Sequence, residues 1–237
     1  MQLLILAGGF GTRLKGVTGD TPKVLAPICN LPFLHYQIEN WVNQGVTSFI
    51  FLLHYQAETI IKYLKAEVVP IYNKCEFSWV IEISPRGTGG AILNGIEHMH
   101  ITDSFLVINA DTWLGTGIKE LIYAGPQSMA VTEFEDPARY GSIEIDSESR
   151  VIDFYEKSEV STSKLINAGL YHFTPDVFLN IGELQVSLES SILPSLVKKN
   201  ELLGIKLSTD FIDVGVPEDY SRFDHWIDQN RKGQLWN

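Results

Sequence analysis

The chain has 237 residues, 45% of them hydrophobic, which is enough for one sizeable core and, in an α/β pattern, for one domain. Its 29 acidic residues outnumber 18 lysines and arginines to give a formal charge of −11, which argues against nucleic acid or an anionic membrane as partner. Two cysteines, Cys29 and Cys75, form neither a CxxC pair nor a disulfide framework, no run reaches the length of a membrane span, and the N-terminus lacks the basic start of a signal peptide; a cytoplasmic protein is expected.

The chain opens on Leu3-Leu4-Ile5-Leu6-Ala7, a short apolar run bounded by glycine, the pattern of a buried parallel strand. It breaks into Gly8-Gly9-Phe10-Gly11-Thr12-Arg13-Leu14, and Thr21-Pro22-Lys23-Val24-Leu25-Ala26-Pro27 follows. From Pro32 to Gln44, Phe33, Leu34, Ile38, Trp41 and Val42 recur at helical spacing, with Gly45 as the stop. Ser48 to His54 reads as a strand, Ala57 to Leu64 as a helix and Phe77 to Ile83 as the next strand. Ser84 to Thr88 is a loop entering a helix from Gly89 to Met99, and Phe105 to Ala110 is a buried strand ending at Asp111. This alternation predicts an α/β fold: a Rossmann-like three-layer α/β/α arrangement on a mainly parallel mixed sheet. Met129 to Phe134, Gly141 to Ile145, Val151 to Tyr155 and Leu170 to Phe173 are shorter strands with polar breaks, expected as added antiparallel pieces. Ser187 to Lys199 is helical with an interruption at Pro194, and Val216-Pro217 starts the last helix.

Glycines at the carboxyl end of a parallel strand let the backbone turn sharply and approach a ligand, and successive N–H groups there make an anion site. Arg13 and Lys23 would add full positive charge in an otherwise acidic molecule, which suits a triphosphate. A dinucleotide fingerprint would need a third glycine where Leu14 stands, and a P-loop would need Gly-Lys-Ser/Thr, which is missing. Asn109-Ala110-Asp111 ends a buried strand, where ligands bind in open α/β sheets, and Asp111 beside phosphates is a candidate Mg²⁺ ligand, with a helix N-cap as the plainer alternative. Asp213 lies in the apolar stretch Phe211-Ile212-Asp213-Val214, where a buried carboxylate needs a cation or hydrogen bonds to offset a cost of several kcal/mol. Asp219 reads as a solvated acid in the first turn of the last helix. The scattered histidines have no metal-ligand spacing, and no nucleophile elbow occurs.

The string Leu6-Ala7-Gly8-Gly9-Phe10-Gly11-Thr12-Arg13-Leu14 with Pro22-Lys23 resembles the opening of the sugar-1-phosphate nucleotidyltransferases, and the resemblance covers nearly the whole chain. It implies an enzyme that joins a nucleoside triphosphate to a sugar 1-phosphate, releases pyrophosphate and uses Mg²⁺. Residues 1–115 would form the nucleotide-binding half and 116–237 the sugar-phosphate half of one domain. The implied catalytic residues are Arg13, Lys23, Asp111 and Asp213, with Asp111 and Asp213 on the metal. Leu6, Ala7, Gly8, Gly9, Gly11 and Thr12 would hold the nucleotide. Ser84, Gly87, Thr88 and Gly89 match the family's base-reading loop, in which an acid is usual at position 84; Arg86 there would reach a phosphate or solvent. Asn109, Gly141, Glu156, Lys157, Asn167 and Gly169 would bind the sugar and its phosphate.

Within the family, Gly87-Thr88-Gly89-Gly90-Ala91-Ile92 and Ile212-Asp213-Val214-Gly215-Val216-Pro217-Glu218-Asp219-Tyr220 look most like the heptose 1-phosphate guanylyltransferase branch, which implies GTP as co-substrate. A uridylyltransferase for N-acetylmuramate 1-phosphate or another hexose 1-phosphate, and a non-catalytic sugar-nucleotide sensor, are the alternative readings. A nicotinamide oxidoreductase is disfavoured by the missing third glycine and the missing ribose acid. A homodimer is possible on exposed apolar helices.

Overall fold

The computed structural model describes residues 1–135, 140, 142–155, 163–179 and 185–231. A nine-stranded mixed sheet organises them. Its parallel centre is β1 (Gln2–Leu6), β4 (Ser48–Leu53), β5 (Glu76–Ile81) and β6 (Phe105–Asn109), in the order β6-β1-β4-β5. Beyond β6 the chain turns antiparallel: β11 (Leu165–Phe173) pairs with β6, β9 (Ser142–Ile145) with β11, and β10 (Val151–Tyr155) with β9. β8 (Ser128–Glu133) also pairs with β11, and β12 (Leu203–Leu207) runs parallel to β8.

Alternation along the central strands builds two cores. Leu3 and Ile5, Phe49 and Phe51, and Leu106 and Ile108 face α2 (Phe33–Asn43), α3 (Ala57–Tyr63) and α5 (Ile118–Ala124). Leu4, Ile50, Leu52, Phe105 and Val107 face α4 (Gly87–Met99) and α6 (Leu193–Lys198). Pro194 sits in the first turn of α6, where its missing N–H costs nothing, so the expected interruption is a helix start after a turn over Leu188–Ile192. A third cluster joins α7 (Pro217–Arg231) to α2 through Phe33, Tyr36, Trp113 and Phe223.

The chain builds β1, β4 and β5 outward in one direction and then crosses back to place β6 on the other side of β1. This reversal opens a crevice at the carboxyl ends of β1 and β6, the place where α/β sheets take ligands. Several short elements were not visible in the sequence: α1 (Lys15–Thr18), β2 (Pro27–Ile28) with β3 (Leu31–Pro32), β7 (Thr112–Leu114) with β13 (Phe211–Asp213), and also α5 and β12. Among the described residues no helix is long and apolar enough to cross a membrane.

Candidate active site

A cleft of about 550 Å³ lies at that crevice, lined by the ends of β1, β4, β5 and β6 and the loops that follow them. Leu6, Ala7, Gly8, Gly9, Gly11, Thr12 and Arg13 form one wall, and Lys23 stands beside them. The loop is pinned at its base: Ala7 N–H donates to Leu52 O at 3.0 Å and Tyr55 N–H to Gly8 O at 3.4 Å. Gly11 takes φ +60°, and a Cβ there would lie 3.1 Å from Lys23 Cβ, so the loop closes tightly on the lysine stem. The N–H groups of Gly9, Phe10 and Gly11 have no hydrogen-bond partner among the described residues.

The two expected metal acids meet through the β7–β13 ladder. Asp213 pairs in register with Thr112, and Val214 N–H donates to Asp111 O at 2.8 Å. From α2, Gln37 Nε2 donates to Thr112 O at 2.7 Å and Asn40 Nδ2 to Leu114 O at 2.8 Å, which braces the segment carrying Asp111. Burial pushes the Asp213 carboxyl up to about 6, with the charge of Asp111 adding to the rise and Lys23 and Arg13 opposing it. Lys23 Nζ sits 2.7 Å from Asp111 Oδ2, with the lysine side chain 13% exposed. Two clustered carboxylates thus already attract one cation. Asp219 also raises Asp213, and it is buried with Arg222 Nη2 at 3.5 Å rather than solvated as the sequence suggested, because the first turn of α7 faces the third core cluster.

The opposite wall is Pro85, Gly87 and Thr88, with Glu82 below and Glu189 from the second half. Glu82 Oε1 is shielded from solvent and has no hydrogen-bond partner among the described residues. The Arg86 backbone N–H lies on the carboxylate side of Glu82 and favours its charged form. Burial raises the Glu82 pKa, while His54 and Arg86 oppose the rise. His54 Nδ1 lies 2.9 Å from Glu82 O; a carbonyl only accepts, so Nδ1 carries the proton. Phe10 packs edge-on against His54 at 5.6 Å. Glu82, His54 and Glu189 were missed in the sequence. β5 ends at Ile81, two residues before the expected end, so Glu82 is a strand-end residue like Asn109, and that position was the available signal.

Asn109 and Asp111 line the cleft; Asp213 is not itself a lining residue, and Gly215 brings the turn after it to the cleft. Ser84 is exposed and outside the lining, and Gly89 N–H is spent on Val186 O at 2.8 Å. Asn167 is engaged within the protein, donating to Tyr171 Oη at 2.7 Å and accepting from Gly169 N–H at 3.0 Å. Gly169 backs onto Asn109: a Cβ there would lie 2.9 Å from Asn109 Nδ2. Gly141, Glu156 and Lys157 lie outside the described residues.

A glycine loop with unbonded N–H groups, two cations and a carboxylate pair at the switch point of a mixed sheet are the parts of an α/β protein built for an anionic ligand. The sequence profile of the Nucleotidyl transferase family matches residues 2–229, and the chain belongs to that family. It is 35% identical over 224 residues to the D-glycero-alpha-D-manno-heptose 1-phosphate guanylyltransferase of Campylobacter jejuni, covering 94% of this chain and 98% of the relative. It is 32% identical to the mannose-1-phosphate guanylyltransferase catalytic subunit beta of Xenopus tropicalis, but spans only 62% of that protein. Among solved structures, HddC from Yersinia pseudotuberculosis complexed with GMP-PN superposes with a TM-score of 0.81 at 32% identity, over 95% of this chain and 99% of the other. A Bacillus anthracis protein described as a glucose-1-phosphate thymidylyltransferase shares the fold, with a TM-score of 0.84 at 20% identity, over 100% of this chain and 98% of the other.

Proposed function

We propose that this protein transfers guanylyl from GTP to a sugar 1-phosphate, D-glycero-α-D-manno-heptose 1-phosphate, releasing pyrophosphate and forming the nucleotide sugar. The observation that carries the reading is the polarity of the cleft. Arg13, Lys23 and the free N–H groups of the glycine loop line it after β1, and Glu82, whose Oε1 has no hydrogen-bond partner among the described residues, lines it after β5 with Gly87 and Thr88. The triphosphate belongs with Arg13, Lys23 and the loop N–H groups, where Asp111 is already paired with Lys23 and would hold the metal, and the nucleoside belongs by Glu82. Guanine presents two neighbouring donors, N1–H and the N2 amino group, and a carboxylate accepts both; uracil offers one donor flanked by carbonyls that a carboxylate repels. The choice of heptose draws on the relative that this chain spans nearly end to end.

In the reaction, a phosphate oxygen of the sugar 1-phosphate forms a bond to the α-phosphorus as the bond from that phosphorus to the bridging oxygen of the β-phosphate breaks. The attacking oxygen is already anionic, so no general base is needed, and rate comes from positioning and charge neutralisation. Arg13 offers a fork of donors to the departing pyrophosphate. Lys23 exchanges its Asp111 partner for phosphate oxygens. Asp111 and Asp213 are all-oxygen donors that suit Mg²⁺, and the ammonium now on Asp111 marks the place as a cation seat. Among the described residues no third His, Cys, Asp or Glu joins them, so substrate phosphate oxygens and water would fill the coordination shell. The ion would supply charge neutralisation at the α-phosphate. Glu156 and Lys157 are proposed for the sugar and its phosphate. Two cysteines with no disulfide framework in their spacing fit a cytoplasmic setting.

The test is pyrophosphate release from GTP, UTP, ATP and CTP against heptose, mannose, glucose and N-acetylmuramate 1-phosphates with Mg²⁺. GTP with heptose 1-phosphate is expected to give the highest kcat/KM. Release with UTP and not GTP would contradict the base assignment. Preference for another sugar would contradict the acceptor.

A further inference from the structure

The loop that faces the base is held from outside, by a segment of the far half of the chain. Val186 N–H donates to Arg86 O at 2.9 Å, Gly89 N–H to Val186 O at 2.8 Å, and Leu188 N–H to Thr88 Oγ1 at 2.7 Å. Gly87 adopts φ +74°, and a Cβ there would lie 2.5 Å from Val186 O, so the two segments are in close backbone contact. The first two are backbone–backbone bonds that form with many sequences, and the third already needs the Thr88 hydroxyl. Glu189 adds one that depends on its side chain: Thr88 Oγ1 donates to Glu189 Oε2 at 2.8 Å. Ser187 Oγ donates to the same oxygen at 3.0 Å, and it also accepts from Ser190 N–H at 3.1 Å as the cap of the following turn. The carboxylate is therefore fixed before it meets Thr88. A threonine hydroxyl has one hydrogen, so Thr88 has none left to give a ligand; its side chain serves the clamp.

We propose that Glu189 is a positioning residue for base selection, locking the Gly87–Thr88 turn in place so that discrimination among nucleotides depends on an acid from the second half of the chain. This rests on reading the cleft as a nucleotide site, but on no particular base. Selectivity is a difference between affinities, and a wall free to shift would accommodate the wrong base nearly as well as the right one. Loss of the clamp therefore lowers discrimination along with affinity. A charged acceptor makes the Thr88 bond stronger than a neutral pair would.

Calorimetric titration of the full chain with GTP, ATP and UTP in Mg²⁺ tests this, using Glu189→Ala, Glu189→Gln, Thr88→Val and the Glu189→Ala/Thr88→Val pair. Glu189→Ala and Thr88→Val should each weaken the tightest nucleotide by about tenfold and narrow its lead over the others by a similar factor. Glu189→Gln, which keeps an oxygen for the Thr88 hydroxyl, should stay within about threefold of the parent. The double variant should be no weaker than the weaker single one. Undiminished discrimination in Thr88→Val, or equal weakening of every nucleotide, overturns the clamp and leaves the nucleotide site standing. If Glu189→Ala does not fold, Thr88→Val and Glu189→Gln carry the test. If UTP binds tightest, guanine reading falls while the clamp is judged on UTP. If the parent binds no nucleotide, both fall.

Discussion

The Asp213 carboxyl titrates at about 6 against an ordinary 3.8, so between those values the folded chain binds a proton that the unfolded chain lacks. Stability from this group is full below about pH 4 and is lost as pH rises through about 6. Above that, an ionised Asp213 beside Asp111 works against the fold, a cost that a bound cation would relieve. Asp213→Asn should therefore raise Tm at pH 8 by several degrees, at about 2–4 °C per kcal/mol for a chain of this size, while turnover falls about 100-fold or more. Thermal melts and pyrophosphate release on one preparation check both directions. Glu82→Gln replaces an acceptor-only group with one that also donates. It should weaken GTP by about 10- to 100-fold and change UTP far less, as read by titration. Arg13 is exposed and makes no side-chain hydrogen bond or ion pair among the described residues, so Arg13→Ala should cost kcat about 100-fold and leave Tm within about 2 °C.

The loop–helix junction at Gly87 is the element most exposed to a single methyl group. Gly87→Ala meets Val186 O at a left-handed φ, and it should cost about 1–3 kcal/mol and weaken nucleotide binding. Gly9 has nothing within 4 Å of a Cβ, so Gly9→Ala should change stability by less than about 0.5 kcal/mol, with Tm as the readout for both. The central strands were legible in the sequence because each is a buried apolar run ended by glycine or a polar residue. The two-stranded pairs were not, because two or three residues carry too little periodicity to register, and α5 and β12 were not read either. The β7–β13 pair matters most among these, since it joins Asp111 and Asp213 across about a hundred residues through contacts no local pattern encodes. The cationic loop and both acids could be picked out from residue type and position. Glu82, hidden at the end of a strand read two residues too long, and Glu189, on a helix turn with no motif, depended on tertiary packing.

At the scale of the molecule, a chain with a formal charge of −11 gathers Arg13, Lys23 and free N–H groups at one mouth of its sheet. They share that mouth with Glu82, Asp111 and Glu189, so they offer an anionic substrate local contacts inside an acidic surround, and added salt should weaken those contacts. Nucleotide and sugar-phosphate readings meet there because β11, from the second half, pairs directly with β6, the strand that carries Asn109. The central claim is that the cleft makes a new phosphoanhydride bond and does not merely bind a nucleotide. ³¹P NMR of the protein with GTP, D-glycero-α-D-manno-heptose 1-phosphate and Mg²⁺ measures this most directly. The account expects the GTP and sugar-phosphate resonances to be replaced by pyrophosphate and a sugar diphosphonucleoside in equal amounts. Unchanged GTP and sugar-phosphate resonances, with nucleotide bound, would contradict it.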